Sequence, residues 1–280
     1  LVLRSLSEVT GNAPPPPLPA LEFPEWVAGA ERDLRAFEYL DVALDLVPPH
    51  PDEAALRQRF KLIGIGDDTA FNIETLDDES AVALAAGMEQ ALETMQAFAA
   101  ANSGDPLMSA RIFGTREALM ESAASIGLPD IYLPRAVAAM TGLYGNTGAE
   151  ALYPAYFTDS DGEPLDAAQH NYRMRIPPGE MPPAKAFWSL SMYAGKTQLF
   201  IDNPLERYLL NSAMESDFVQ EPDGSVVFYL QSEAPSEPLL PNWLPAPDGA
   251  FYAVMRLYLP TDEVLQGDWT PPVIAKEAAQ

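Results

Sequence analysis

The chain has 280 residues, 48% of them hydrophobic, which is enough for a sizeable buried core in one large domain or two closely packed lobes. Its 41 acidic and 16 basic residues give a formal net charge of −25 at pH 7. Because nucleic-acid phosphates and anionic membrane surfaces repel such a chain, we expect neither as a partner. Cysteine is absent, which excludes disulfides, thiolate nucleophiles and cysteine-ligated metal sites.

Residues 1–24 are predicted to form an extended tail, since Pro14–Pro17 and Pro19 favour the polyproline II conformation. The tail is interpreted as a spacer, or as a strap across the body or a neighbouring subunit. Leu1–Val9 is too short and too polar for a signal peptide, and no apolar run approaches the roughly 20 residues of a membrane helix. We therefore expect a cytoplasmic protein, or a periplasmic one if a leader precedes Leu1.

Residues 25–148 carry helical signals, because apolar residues recur at steps of three and four with charged residues between them. Proline and glycine mark the ends of these segments. The pattern predicts a helical N-terminal half with helices over about 27–47, 51–63, 80–102, 115–127 and 129–142.

From about Tyr153 onward, apolar residues alternate with polar ones at a period of two, and turn residues interrupt the pattern at short intervals. This pattern predicts an α+β protein whose residues 149–280 form an antiparallel, jelly-roll-like β-sandwich. Seven or eight short strands are predicted, among them those around residues 171–176, 187–193, 199–201, 226–230 and 251–258.

Signatures of nucleotide loops, nucleophile elbows and zinc-binding helices are absent from the sequence. The two histidines, His50 and His170, lie far apart, so we expect neither a metal nor a cofactor. Asp159–Glu163 resembles the opening of a calcium loop, but the closing glutamate is missing, so a polar hairpin turn is predicted instead. His170 lies in the β half and is a candidate general base, the alternative being a solvated side chain at a strand edge.

Two arginines, Arg207 and Arg256, are candidates for binding an anion. A guanidinium beside aromatic rings can bind a carboxylate or phosphate and stack on flat groups, whereas the alternative for each is a brace between strands. Trp188 and Trp243 are interpreted as walls of an aromatic pocket, with the sandwich core as the alternative. The predicted catalytic residues are Arg256, Tyr193, His170 and Tyr258, and the predicted substrate-binding residues are Arg207, Trp188, Trp243 and Asn242.

A series of motifs in the β half occurs in the order found in a known family. The series consists of Tyr153-Pro154, Asp159–Gly162, Asn171-Tyr172, Pro182-Pro183, Phe187–Tyr193, Asn203-Pro204, Arg207-Tyr208, Asp223–Ser225, Asn242–Pro247, Arg256–Tyr258 and Trp269–Pro272. Residues from about 149 to 274 thereby resemble the domain catalogued as domain of unknown function 1214. The resemblance implies two packed antiparallel sheets but no agreed reaction.

Many relatives in this family carry another β domain further upstream, catalogued as family 1254. Only the Pro-rich tail occupies that place in this sequence, so we expect the companion domain to be absent. A site that relatives build between two β domains would then be completed differently here, for example by a second subunit.

Three functional hypotheses remain open at this point. The first is a cofactor-independent lyase or hydrolase for a small aromatic or oxygenated molecule. In it, Arg256 or Arg207 binds an anionic group, and Tyr193, Tyr258 or His170 moves a proton. The second is a carbohydrate- or small-ligand-binding module, and the third is an assembly protein that forms homo-oligomers. We favour the enzyme, because a helical lobe beside a sandwich creates a cleft of the kind that binds ligands.

Overall fold

A computed structural model of the chain describes residues 5–14, 23–67, 69–102 and 105–277. The chain divides into two compact units, residues 1–93 and residues 94–280. The predicted boundary between helical region and sandwich was residue 148, whereas the packing boundary falls after Glu93. None of the helices in the described ranges combines the length and the hydropathy needed to cross a membrane.

The first unit is helical. It contains α1 (Leu6–Thr10), α2 (Ala36–Leu46), α3 (Ala54–Lys61) and most of α4 (Asp78–Ala101). The buried carboxylate of Asp41, on α2, accepts the backbone N–H groups of Gly66 at 2.6 Å and Phe71 at 2.8 Å. One acidic side chain therefore holds the loop that follows α3 against α2, since a buried carboxylate requires such partners.

The predicted extended tail is wrong in its first part. Ser5 caps α1 with a capping box in which its hydroxyl accepts the N–H of Glu8 while the Glu8 carboxylate accepts the N–H of Ser5. These reciprocal bonds satisfy two helix-terminal donors and favour a helical turn over an extended chain. Most of the proline run, residues 15–22, lies outside the described residues.

The second unit begins with the rest of α4 and adds short helices. These are α5 (Met108–Ile112), α6 (Arg116–Ser125), α7 (Tyr132–Thr141) and α8 (Asp262–Gln266). Thr115 caps α6 as predicted, its hydroxyl accepting the N–H of Ala118 at 3.3 Å. Ile112 and Val137 bury a small apolar cluster between α5 and α7, against which Met95 and Phe98 of α4 pack. Helices of five residues, such as α5, are too short for a periodic signal, so the sequence did not indicate them.

The sandwich follows, and its strands form two sheets. The strands are β1 (Ala151–Leu152), β2 (Ala155–Tyr156), β3 (Tyr172–Ile176), β4 (Ala184–Ala194), β5 (Leu209–Asn211), β6 (Val226–Gln231), β7 (Trp243–Pro245), β8 (Phe251–Pro260) and β9 (Ile274–Lys276). The first sheet has the order β1-β8-β4-β5, with β2 also paired to β8, and the second has the order β7-β6-β3-β9. The pairings are antiparallel except that of β6 with β7, which is parallel.

The two sheets share one hydrophobic core, which alternate residues of the strands supply. β4 contributes Trp188, Leu190 and Met192, and β8 contributes Met255 and Leu257, among others. The predicted α+β class, with a helical N-terminal region followed by β-sheets, is confirmed. This alternation also determines which side chains lie on the outer face of the first sheet, because successive strand residues point to opposite faces.

The strand predicted around Leu199 and Ile201 does not form. The Ala194 N–H instead donates to the Leu199 carbonyl at 3.0 Å in a tight turn. Gln198 and Glu206 have positive φ angles of 59° and 48°, which an extended strand does not accommodate. The chain therefore crosses this region as a loop, and the next strand that pairs with β4 is β5.

Candidate functional site

The second unit contains a cavity of about 460 Å³. Its walls come from the end of α4, from α5 and α7 with the loop after α7, and from the outer face of the first sheet. The lining residues used below are Asn102, Asp105, Phe113, Leu143, Tyr144, Tyr153, Phe157, Tyr193, Tyr252 and Arg256. A cavity of this size suits a small organic molecule.

The sheet places Arg256 on the cavity wall through strand register. β4 and β8 pair so that Tyr193 lies opposite Tyr252 and Ser191 opposite Val254. Arg256 is two residues further along β8, and its guanidinium extends back over β4. Nη1 donates to the Ser191 hydroxyl at 3.0 Å, and Nη2 donates to the Tyr193 phenol oxygen at 2.9 Å. The two hydroxyl groups thus hold the cation on the outer face of the sheet.

The charge of Arg256 has no carboxylate partner among the described residues. Its side-chain hydrogen bonds go to the neutral hydroxyl groups of Ser191 and Tyr193, and its carbon Cζ lies 5.7 Å from the centre of the Tyr193 ring. Asp105 also lines the cavity, but its carboxylate accepts Arg111 Nε at 2.7 Å and the Leu107 N–H at 2.8 Å. A cation with uncompensated charge therefore faces the cavity of a protein whose net charge is −25. Such a site attracts an anion.

Aromatic rings stack in a row along the outer face of the first sheet. Tyr193 stacks on Tyr252 with ring centres 5.1 Å apart and on Phe200 at 5.0 Å. The row continues from Tyr252 to Phe157 at 5.4 Å and from Phe200 to Tyr208 at 5.2 Å. Burial raises the pKa of the Tyr252 phenol, and neighbouring Tyr193 adds to this effect while Arg256 opposes it. Tyr252 is consequently protonated at neutral pH.

Two of the predicted catalytic residues, Arg256 and Tyr193, lie together in this cavity, and the other two lie elsewhere. Tyr258 is on the same face of β8, but its ring stacks on Phe187 at 4.3 Å and is not part of the lining. His170 is exposed and meets the Tyr172 ring edge-on at 6.2 Å. His170 is not part of the cavity lining, so it is not placed to act as a base there.

The predicted substrate-binding residues do not line the cavity, and they make structural contacts. Arg207 Nη1 donates to the carbonyl oxygens of Leu240, Pro241 and Trp243 at 2.5, 3.4 and 2.9 Å. Burial lowers the pKa of Arg207, as expected where a cation is desolvated without a carboxylate. The geometry is that of the brace, the alternative interpretation of this arginine.

Asn242 and the two tryptophans are likewise occupied within the sandwich. The buried Asn242 side chain accepts the Val219 N–H at 2.8 Å and donates to the Val227 carbonyl at 2.9 Å. Trp243 is buried and donates its indole N–H to the Gln231 carbonyl at 2.9 Å. Trp188 is 2% exposed in the core and donates to Glu215 Oε1 at 2.7 Å. The pocket walls predicted from these tryptophans are supplied by Phe113, Tyr153 and Phe157 instead.

Sequence reasoning missed the helical wall of the cavity. Phe113, Tyr144 and Tyr153 come from turns and loops whose apolar residues follow no period. One signal was present, the pair of glycines that flank Leu143-Tyr144. Closely spaced glycines often mark a place where the backbone approaches another group.

The acidic segment Asp159–Glu163 forms a polar turn, as predicted. Asp159 Oδ1 accepts the backbone N–H groups of Asp161 at 2.9 Å and Glu163 at 3.1 Å. Lys276 Nζ lies 3.1 Å from Asp159 Oδ2 and supplies the positive charge. Although burial of the carboxylate opposes ionisation, these hydrogen bonds lower the pKa of Asp159.

One comparison with a solved structure supports the fold. A crystal structure of the VPA0106 protein from Vibrio parahaemolyticus is 26% identical in sequence and superposes with a TM-score of 0.61. That alignment covers 98% of this chain and 62% of the Vibrio chain, so this chain spans less than two thirds of its length. An uncharacterized protein from Burkholderia cenocepacia is 16% identical, with a TM-score of 0.28, over 68% of this chain and 52% of the other. A search of the curated proteins gives no match.

The family resemblance found in the motifs of the β half is confirmed. Residues 150–262 match the model of the family described as "Protein of unknown function (DUF1214)". The match includes β1 to β8 and both residues of the Arg256–Tyr193 pair. Within this chain, the similarity to the DUF1214 family is thus located in residues 150–262.

Proposed function

We propose that the second unit is a cofactor-independent enzyme, a lyase or a hydrolase, that acts on a small anionic molecule in the cavity. The observation that carries the proposal is the Arg256–Tyr193 pair at 2.9 Å on the wall of a 460 Å³ cavity. Arg256 binds the anionic group of the substrate or the oxyanion that develops during the reaction. Because the Tyr193 oxygen accepts the arginine N–H, its own proton is available for donation to a leaving group.

The proposal is tested by separating binding from turnover. Small carboxylates that carry an ester, amide or β-hydroxyl group are incubated with the protein, and products are followed by proton NMR. We expect Tyr193→Phe to retain binding of an unreactive carboxylate but to lose about 100-fold or more in turnover, the usual contribution of a positioned proton donor. Arg256→Gln should lose both binding and turnover.

A matched control uses an arginine outside the cavity. Arg175 is on the second sheet, is half exposed and pairs with Asp223, so Arg175→Gln removes a guanidinium without touching the cavity. Its binding and turnover should equal those of the unaltered protein. Binding that depends on Arg256 without turnover of any compound in the set would identify a ligand-binding module and overturn the enzymatic proposal.

The carbohydrate-binding alternative is less well supported by the aromatic row. Sugar platforms need a ring face that is open to solvent, whereas Tyr193 and Tyr252 cover each other with nearly parallel rings at an angle of 13°. A glycan array tests this alternative directly, because tight binding of a sugar would favour it. The assembly hypothesis is tested by light scattering at several concentrations, in which a strict monomer would contradict it.

A further inference from the structure

We infer that the cavity takes an aromatic monocarboxylate, with its carboxylate on Arg256 and its ring covered by Tyr144. This inference rests on the proposed small-anion site and specifies the class of ligand and a residue that determines specificity. It follows from three features of the cavity: the charge at one wall, the aromatic character of the lining, and the conformation of the loop after α7.

The charge favours a single carboxylate. Ser191 and Tyr193 each accept one N–H from Arg256, which leaves further guanidinium donors for a bidentate carboxylate. The other charged group of the lining, Asp105, is paired with Arg111 and adds no positive charge. One guanidinium balances one negative charge, and a dianion such as a phosphate monoester would carry its second charge into a protein of net charge −25.

The lining favours an aromatic body. Phe113 and Tyr153 meet edge-to-face at 6.0 Å on the helical side of the cavity, and Phe157 and Tyr252 stack at 5.4 Å on the sheet side. A planar ring can make offset or edge contacts with such side chains that a saturated chain cannot make. Several polar side chains of the lining are already engaged within the protein, since Asn102 donates to the Phe98 carbonyl, Thr141 donates to the Val137 carbonyl and Ser109 accepts the Tyr153 N–H.

The loop after α7 is held flat against Phe113. A Cβ atom at Gly145 would lie 2.3 Å from the Phe113 ring, and one at Gly142 would lie 3.1 Å from it. Neither position can therefore carry a side chain unless the ring moves. The backbone thus approaches the Phe113 ring closely on both sides of Leu143 and Tyr144, and both of these residues are exposed.

Tyr144 is unusual in two respects. Its φ angle is 65°, a left-handed conformation that glycine adopts without strain and tyrosine does not. Its side chain is 92% exposed although it lines the cavity. A strained backbone that presents an exposed ring at a cavity is explained if the ring contacts a ligand.

The test measures affinity for 3-phenylpropionate by ligand-observed NMR titration. The comparison compounds are 3-cyclohexylpropionate, which is saturated, 3-phenylpropanol, which is neutral, and phenyl phosphate, which is a dianion. We expect 3-phenylpropionate to bind most tightly and Arg256→Gln to abolish its binding. Equal affinity for the saturated acid, or tighter binding of the neutral or dianionic compound, would overturn the assigned class.

Tyr144→Gly tests the cover and has a matched control. Leu259 also has a positive φ angle, 51°, is 50% exposed and does not line the cavity. Tyr144→Gly should raise the denaturation midpoint because glycine relieves the strain, whereas in Leu259→Gly the same relief is offset by the loss of a half-buried side chain from β8. Only Tyr144→Gly should weaken 3-phenylpropionate binding, by about tenfold for the loss of one ring contact.

The possible failures are distinguishable. If binding depends on Arg256 but is the same in Tyr144→Gly, Tyr144 does not contact the ligand, while the proposed anion site stands. If an aliphatic acid replaces the aromatic one as the best ligand, the assigned class is wrong and the anion site again stands. If no compound in the set binds in an Arg256-dependent way, the proposed function fails together with this inference.

Discussion

The two faces of the first sheet are built from the same strands and serve different purposes. On the inner face, Trp188 of β4 and Met255 of β8 are buried in the sandwich core. The next residue of each strand, Ser189 of β4 and Arg256 of β8, lies on the outer face. These two residues are opposite each other in the sheet, and Arg256 faces the cavity. A single alternation of residues along β4 and β8 thus supplies both the sandwich core and one wall of the cavity. Substitutions one residue apart should therefore separate stability from binding.

The largest effect is expected from Trp188→Ala on the inner face. The side chain is 2% exposed, and its removal leaves a cavity and an unpaired Glu215 carboxylate. We expect a loss of about 3–5 kcal/mol in the free energy of unfolding, measured by urea denaturation. Trp188→Phe should lose less, and a loss under about 1 kcal/mol for alanine would show that the inner face is loosely packed.

The next largest effect is expected from Arg207→Gln, in the loop before β5. The substitution removes the donor to the carbonyl oxygens of Leu240 and Trp243 and leaves these acceptors without their partner. We expect the free energy of unfolding to fall by about 2 kcal/mol, while 3-phenylpropionate binding is unchanged. Weakened binding in a protein that stays folded would return Arg207 to the list of anion-binding residues.

Arg256→Gln should show the opposite pattern. Its bonds to Ser191 and Tyr193 are made to hydroxyl groups beside an open cavity, where water can replace the lost donor. The free energy of unfolding should therefore change by about 1 kcal/mol or less, while affinity for the carboxylate falls at least tenfold. Unfolding of this variant would mean that Arg256 is a brace, like Arg207, and would remove the contrast between the two arginines.

The smallest effect is expected at the turn of Asp159, away from both faces of the first sheet. A lowered pKa makes the ionised carboxylate a source of stability that is present above the unfolded pKa and lost as pH falls through the folded pKa. Lys276→Gln removes the ammonium group 3.1 Å from Oδ2, so acid unfolding should begin at a higher pH. In an Asp159→Asn background, adding Lys276→Gln should no longer shift the pH of acid unfolding. If Lys276→Gln alone leaves the acid transition unchanged, the ion pair of Lys276 with Asp159 does not stabilise the fold.

Much of the second unit could be predicted from sequence, because its signals are local. The alternation in β4 and β8 placed Trp188 and Met192 on one face and Ser191 and Tyr193 on the other, as the structure has them. Thr115 indicated the start of α6 through a bond that spans three residues. The strand predicted near Leu199 was wrong. The positive φ angles at Gln198 and Glu206 prevent an extended conformation there, and a hydrophobic pattern does not reveal them.

The site was predictable only in part. Arg256 and Tyr193 followed from the strand pattern and the family motifs, but Arg207 carried the same signal and serves as a brace. The difference lies in partners far along the chain, since Arg207 donates to carbonyl groups at Leu240 and Trp243. Composition near an arginine cannot distinguish a hydroxyl partner beside a cavity from a carbonyl partner inside a loop.

The α+β class and the faces of the central strands could be read from the sequence, because each depends on residues close together in the chain, and the motifs of the β half indicated the family whose model matches residues 150–262. Only the tertiary structure decided that Arg256 faces a cavity and that the Trp188 and Trp243 rings do not. It also decided that the Phe113 ring lies close to Gly142 and Gly145 and that the exposed Tyr144 lines the same cavity as Arg256. The physical reason is that helices and strands distant in sequence must pack before a cavity exists, and packing sets which polar groups find partners within the protein.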